Sequence, residues 1–136
     1  MPVRTSNPET LHETIGYSHL AVGTGNLVFV AGQVALDADG NVVGEGDLAR
    51  QALQAYRNVA AALESADVPI EHVAKITTFV VDYRFDLLGP IAEARRAVFG
   101  HHAPASTLVG VQALARPEYL IEVEAVAVAV AVAVTD

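Results

Sequence analysis

The segment EVEAVAVAVAVAVTD, residues 122–136, constrains the fold more than any other part of the sequence. Valine favours an extended backbone, and alternation sends successive side chains to opposite faces, so the chain from about Leu120 is predicted to be a strand. Both faces of this strand are apolar, except for the carboxylates of Glu122 and Glu124. A strand of this kind needs cover on both sides, and that need decides the architecture predicted below.

Length, composition and charge exclude several classes of protein. We expect residues 1–136 to form one domain, because a chain of this length buries a core without metal or disulfide support. The absence of cysteine excludes thiolate catalysis and zinc–cysteine sites. A formal charge of −8, with only eight basic side chains, argues against a nucleic-acid partner. There is no secretory signal, and Glu122 and Glu124 keep the terminal run below about 20 apolar residues, so we expect a cytoplasmic protein outside the membrane.

The pattern along the chain alternates between strands and helices. Residues 17–22 and 26–31 are predicted to be two strands joined as a hairpin across the glycine-rich residues 23–25. A second turn is predicted at residues 37–41. Asp47 is the expected N-cap of a helix, because apolar positions then recur at intervals of three and four from Leu48 to Leu63.

A second helix is predicted to contain Pro90 in its first turn and to end at Gly100. Runs rich in β-branched residues predict strands on either side of it, at residues 75–81 and 107–111, before the terminal strand. The order β-β-α-β-α-β-β indicates an α+β fold, with a mixed sheet and two helices on one face. Two helices cover one face only, so a second copy of the chain is expected to cover the other face of the terminal strand. The sequence therefore predicts a homo-oligomer in which sheet faces meet, with the last Val-Ala pairs overhanging the sheet.

Three motif-like strings do not meet the requirements of the sites they resemble. The string at residues 44–49 matches G-x-G-x-x-A but follows a turn instead of a long buried strand, which argues against dinucleotide binding. Residues 37–41 resemble the start of a calcium loop, but Val42 stands where glycine is needed. His101 and His102 are adjacent in a loop without a placed carboxylate, which is more typical of solvated residues than of metal ligands. We expect neither a metal nor a cofactor.

Six short strings follow one another along the chain: IGYS at 15–18, NLVFVAGQ at 26–33, QxxQxxxN at 51–58, VAK at 73–75, PAST at 104–107 and IEVEAVA at 121–127. In their order and spacing they resemble the RidA family, also called YjgF or liver perchloric-acid-soluble protein. The resemblance spans about Gly16 to Ala127 and implies a chorismate-mutase-like fold. It also implies a homotrimer with sheets facing a central barrel and a small-molecule ligand in clefts between subunits. Relatives are sometimes labelled endoribonucleases, which the acidic composition does not support.

The resemblance also implies an activity and a set of site residues. Active members hydrolyse reactive enamines and imines to oxo acids and ammonia. Their cleft uses a tyrosine that matches Tyr17, a glycine that matches Gly32 and the backbone at Leu108. A glutamate that matches Glu122 holds the attacking water, which is chemically reasonable because a carboxylate can orient water and accept its proton. The alternative for Glu122 is a structural role, paired with a base on a neighbouring strand.

One departure from the family pattern affects the substrate. The imine deaminases have an arginine that clamps the substrate carboxylate where this chain has Ser106, and a hydroxyl offers only one neutral hydrogen bond in its place. Arg116 is either a substitute or a solvated turn residue. Two functions remain open. The first is a hydrolase for a neutral or differently anchored imine, with Glu122 positioning water and with Ser106 and Thr107 contacting the ligand. The second is a non-catalytic metabolite-binding trimer.

Overall fold

The computed structural model describes residues 3–133 and has an α+β architecture, as predicted. Short 3-10 turns precede the fourth strand and the second helix, at residues 70–72 and 85–87. The order differs from the prediction by one additional strand at the N-terminus, which is too short to give a pattern in the sequence. The elements are β1 Val3–Ser6, β2 Leu20–Gly23, β3 Asn26–Gln33, α1 Leu48–Ser65, β4 Val73–Val81, α2 Leu88–Phe99, β5 Ala105–Val111 and β6 Ile121–Ala129.

The main sheet has four strands in the order β3-β6-β4-β5, in which only β4 and β5 are parallel. The predicted hairpin between the first two strands is wrong: β2 pairs with β1 in a separate two-stranded sheet, and β3 pairs with β6. The glycines between β2 and β3 serve another purpose. A Cβ on Gly25 would lie 3.0 Å from the carbonyl carbon of Ala129, so glycine is needed where the chain passes the end of β6.

Helix α1 forms as its sequence predicts. The Asp47 side chain caps it by accepting a hydrogen bond from the backbone nitrogen of Arg50 at 3.2 Å. The residues it buries recur at helical spacing and face the sheet. They are Gln51, Ala52, Ala55, Tyr56, Val59 and Leu63.

Helix α2 also matches the prediction, with Pro90 in its first turn and Gly100 at its end. Gly100 has a φ of 61°, a conformation that favours glycine, and its nitrogen donates to the Arg96 carbonyl at 2.9 Å. Phe99 meets Tyr56 of α1 edge to face, with ring centroids 6.0 Å apart, so the two helices pack together over one face of the sheet. Within residues 3–133, neither helix is long and apolar enough to span a bilayer.

Strand β6 has one covered face and one mostly open face in the single chain. The residues that point to the helices are buried: Ile121, Val123, Ala125, Ala127 and Ala129. On the other face, Phe29 and Leu27 of β3 are paired with Val126 and Val128, and they are 72% and 63% exposed. This open apolar face is the one for which the sequence predicts a second copy.

The terminal run leaves the sheet before its last Val-Ala pairs. Strand β6 ends at Ala129, and the nitrogen of Ala133 then donates to the Ala66 carbonyl at 3.0 Å, beyond the end of α1. The part of a strand that extends beyond its neighbours has no backbone partners in the sheet. Here that part of the chain forms a hydrogen bond with the end of α1 instead. The end of β6 at Ala129 agrees with the prediction that the last Val-Ala pairs overhang the sheet, and residues 134–136 lie outside the described part of the chain.

Candidate functional site

A cavity of about 450 Å³ lies between α2, β5 and the loop before β2. Its volume is in the range of small-molecule sites, and its wall is mainly apolar with a few polar groups, which is typical of such sites. Three of the sequence-predicted ligand residues, Tyr17, Ser106 and Leu108, are in this wall. The complete lining is Ile15, Tyr17, Tyr56, Thr78, Leu88, Ile91, Ala92, Arg95, Ser106 and Leu108.

Thr107, another predicted ligand contact, is separated from this group because side chains alternate along β5. Ser106 and Leu108 point toward the helices and the cavity, whereas Thr107 between them points to the opposite face of the sheet. There its hydroxyl accepts a hydrogen bond from the ammonium group of Lys75. The structure therefore does not place Thr107 with the other predicted ligand contacts.

The loop that carries Tyr17 is fixed against the start of β5. The nitrogen of Ser18 donates to the Pro104 carbonyl at 3.1 Å, and its hydroxyl donates to the Ala103 carbonyl at 2.6 Å. The Tyr17 hydroxyl is 3.1 Å from Nε2 of His12, within hydrogen-bond distance. These contacts hold the tyrosine ring at the cavity without help from a helix or a long strand.

Glu122 and Gly32 contact each other on the sheet face that points away from the helices. A bulge interrupts the pairing of β3 with β6 between Val30 and Gln33, and it brings Gly32 under the Glu122 side chain. A Cβ on Gly32 would lie only 2.7 Å from Cδ of Glu122, so the carboxyl group occupies space that glycine alone leaves open. In one chain, the sheet separates this pair from the cavity.

The structure gives no support to a charge-paired structural role for Glu122. Its register partner on β4 is Phe79 instead of a base. In the described part of the chain, the salt bridges are Arg84–Asp86 and Arg116–Glu118, and neither includes Glu122.

Arg95 is a cavity residue that the sequence reasoning missed. It follows Ile91 by one turn of α2, and its guanidinium lies against Gly16, where a Cβ would be 3.5 Å from Cζ and would clash with Nη2. Burial is the main effect that lowers the pKa of Arg95, with Tyr56 raising it and the adjacent Arg96 lowering it further. The available signal was its i+4 spacing from Ile91, which places a cation beside the buried stripe.

The cavity floor contains a buried pair of hydroxyl groups. The Tyr56 hydroxyl and Thr78 Oγ1 are 2.9 Å apart and hydrogen-bonded, and either can be the donor. Burial raises the pKa of Tyr56, although the Thr78 hydrogen bond and the Arg95 charge lower it. The phenol is therefore neutral at physiological pH, and each hydroxyl satisfies the other.

Replacing Thr78 with valine, which has a similar shape, is expected to lower the free energy of unfolding by about 1–3 kcal/mol. The cost arises because the Tyr56 hydroxyl stays buried without a partner. Urea denaturation of Thr78→Val, Tyr56→Phe and the double variant measures it. The double variant is expected to be more stable than the sum of the single effects predicts, since neither polar group remains. Additive losses would contradict the pairing.

Two other candidates lie outside the cavity. Arg116 is exposed and its Nε donates to Glu118 at 3.1 Å, so in this chain it is a solvated turn residue outside the cavity. Nε2 of His102 donates to the Val73 carbonyl at 2.7 Å, which is a structural role. Among residues 3–133, no three His, Asp or Glu side chains come close enough to hold a metal ion.

Comparison with known proteins gives the family. The family model described as Endoribonuclease L-PSP matches residues 8–129. The chain belongs to this family. The RidA/YjgF resemblance found in the sequence motifs is thereby confirmed. Structural similarity agrees: a conserved Rid family protein of unknown function from Yersinia pestis, YyfB, has a TM-score of 0.90 and 36% identity, covering 95% of this chain and 100% of that one.

Curated relatives of this RidA-family chain include proteins with and without an assigned activity. A RutC family protein of Pyrococcus abyssi is 32% identical over 118 residues, covering 87% of this chain and 91% of the relative. A mouse protein named 2-iminobutanoate/2-iminopropanoate deaminase is 30% identical over 112 residues, covering 82% of this chain and 81% of the relative. Similarity at this level establishes the family, and the activity of this member is a separate question.

Proposed function

We propose that this RidA-family protein hydrolyses reactive imines, or the enamines that tautomerise to them, to a carbonyl compound and ammonia. The observation that carries the proposal is the cavity that groups Tyr17, Ser106 and Leu108, the residues that match the family's ligand contacts. The similarity to a mouse imine deaminase supports the reaction class. Glu122, held against Gly32, is the proposed group that positions the attacking water.

The reaction needs few groups because water and imine supply every atom. The water oxygen bonds to the imine carbon while a carboxylate accepts one water proton. That proton passes to the nitrogen and gives a carbinolamine. The carboxylate then accepts the hydroxyl proton and passes it to the nitrogen, so that the carbon–nitrogen bond breaks and ammonia leaves as the carbonyl forms. The steps are an addition, an elimination and proton transfers, for which one well-placed carboxylate and a cavity that orients the imine are sufficient.

The proposed site requires two copies of the chain. Glu122 and Gly32 lie on the open face of the sheet, and the cavity lies on the helical face. The carboxylate of one copy must therefore reach the cavity of another copy. The exposed Leu27 and Phe29 on the open face support association through it, and the family resemblance suggests a homotrimer with clefts between subunits.

Replacing Phe29 with lysine is expected to shift the protein from three chains per particle toward single chains, because it puts a charge into the proposed apolar interface. Analytical ultracentrifugation at micromolar concentration measures the change. Ala61→Lys is the matched control, since Ala61 is exposed on α1, the helix that packs on the other face of the sheet. A wild-type chain that sediments as a monomer would contradict both the interface and the two-copy site.

The activity is tested on imines generated in place, because these compounds decay in water. A pyridoxal-dependent dehydratase supplies the imine, and the rate of ammonia or semicarbazone-trapped oxo acid formation is measured with and without the protein. Acidic and neutral imines are compared. A rate equal to that in buffer for both classes would remove the hydrolase proposal.

A non-catalytic metabolite-binding trimer is the second candidate. It is favoured by Ser106, which replaces the family's substrate-clamping arginine and so removes a charged contact from β5. In this case a ligand binds the cavity, but neither ammonia nor oxo acid forms faster than in buffer.

A further inference from the structure

The cavity contains one cation, and this cation comes from α2 instead of β5. Arg95 and Ser106 both line the cavity, so the position that lost the family's arginine and the new arginine face the same space. The Arg95 guanidinium is placed by Gly16, which leaves room for it next to Tyr17. An arginine can hold a carboxylate through two parallel hydrogen bonds from whichever side of a cavity it enters.

The surroundings of Arg95 favour an anionic occupant. In the described part of the chain the guanidinium makes no salt bridge. The ionisable groups that influence its pKa are Tyr56, which is neutral at physiological pH, and Arg96, which is another cation. A half-buried cation without a counter-charge has lost part of its hydration, and an anionic ligand compensates for that loss. The chain as a whole is acidic, so this is a local exception to its charge.

The remainder of the wall selects the other end of the ligand. Ile15, Leu88, Ile91, Ala92 and Leu108 are all apolar, and they surround a volume of about 450 Å³. A ligand with a small polar side chain would leave much of this apolar surface exposed to water, whereas a ligand with a branched or aromatic side chain would cover it.

We propose that Arg95 anchors the ligand carboxylate in place of the missing arginine, and that the ligand is a 2-imino acid with a branched or aromatic apolar side chain. The choice of an imino acid rests on the proposed function, but the anchor and the side-chain preference do not. Ser106 and Tyr17 then supply neutral hydrogen bonds beside the anchor. Because the anchor is on another element, the ligand lies across the cavity from α2 toward β5.

The test uses stable 2-oxo acids, which keep the carboxylate and the side chain but need no turnover. Calorimetry measures binding of 4-methyl-2-oxopentanoate and of its uncharged amide. Arg95→Gln is expected to weaken binding of the acid about 10- to 100-fold and to leave binding of the amide unchanged. Arg96→Gln, on the adjacent exposed arginine, is the matched control and is expected to change neither. Pyruvate is expected to bind the wild type at least tenfold more weakly than the larger acid.

Each outcome decides a part of the proposal. Absence of acid binding to the wild type, equal losses in Arg95→Gln and Arg96→Gln, or unchanged acid binding in Arg95→Gln would overturn the anchor. If Arg95→Gln also loses the amide, Arg95→Lys decides, because it keeps the charge: the anchor stands only if the acid binds it more tightly than Arg95→Gln. Pyruvate binding as tight as that of the larger acid would overturn the side-chain preference. If binding depends on Arg95 but no imine is hydrolysed, the proposed hydrolase activity is rejected and the role of Arg95 in binding the carboxylate is retained.

Discussion

Replacing Glu122 with glutamine is expected to slow imine hydrolysis by about 10²- to 10⁴-fold, which is the usual contribution of a general base. Glutamine keeps the size of the side chain and its contact with Gly32, but it cannot accept a proton from water. Binding of a 2-oxo acid is expected to change little, because the carboxylate acts on water and the cavity holds the ligand. The rate of ammonia release and the oxo-acid affinity are measured on the same preparation.

Glu124→Gln is the control for this substitution. Glu124 is exposed and lies two residues further along β6 on the same face. Its replacement by glutamine changes the net charge by the same amount. It is expected to leave the rate within about twofold of wild type. Equal rates for wild type and Glu122→Gln would contradict the role of Glu122, whereas equal losses in both variants would point to the charge of the whole face instead of a general base.

Replacing Gln51 with methionine is expected to lower the free energy of unfolding by about 3–5 kcal/mol. The side chain is fully buried, and its Nε2 donates to the carbonyls of Gly44 and Glu118 at 3.2 and 2.9 Å. Its Oε1 accepts from the nitrogen of Leu120 at 2.9 Å. Methionine fills the same space but leaves the Glu118 carbonyl and the Leu120 nitrogen without these partners, at roughly 1–3 kcal/mol for each group that stays buried. The Gly44 carbonyl still accepts a hydrogen bond from the nitrogen of Asp47.

Arg57→Met on the exposed side of the same helix is the matched control. It introduces the same residue into α1 but removes no buried contact, so the change in stability is expected to stay within about 0.5 kcal/mol. Chemical denaturation measures both variants. A loss of less than about 1 kcal/mol in Gln51→Met, below the roughly 1–3 kcal/mol expected for one buried group, would show that water or a small rearrangement satisfies the Glu118 carbonyl and the Leu120 nitrogen.

The helices were predictable from the sequence because their signals are local. An aspartate cap and a regular apolar spacing define α1, and Pro90 and Gly100 bracket most of α2. Each signal acts within one turn of the residues it orders. The strands from residue 75 onward were predictable for a similar reason, since β-branched runs favour an extended backbone wherever they pair.

Strand pairing was not predictable in the same way. Residues near Gly25 have the composition of a hairpin, but β3 pairs with a strand that begins almost 90 residues later. The apolar surface of β6 is a better partner for β3 than β2 is, and this comparison depends on the whole core. The overhang of the last Val-Ala pairs was predictable, but the residue at which β6 ends, Ala129, depends on the length of the neighbouring strands.

The site shows the same division between local and distant information. The family motifs placed Tyr17, Ser106 and Leu108 at one cavity, but they did not show that Thr107 and Glu122 point to the other face of the sheet. Arg95 belongs to no family motif and enters the cavity only because the fold brings α2 and β5 to the same cavity. A cavity residue on an element outside the family motifs has no fixed spacing from them, so a single sequence does not reveal it.

The position of β6 in the sheet has a consequence for how the chain acquires its structure during synthesis. The strand lies between β3 and β4, and both bond to it instead of to each other. On a ribosome, β3 and β4 emerge before their shared partner, so their apolar edges wait without backbone partners until residues 121–129 appear. The nascent chain is therefore vulnerable to misassociation until a late point in translation, and a chaperone that shields those edges would act before β6 is available.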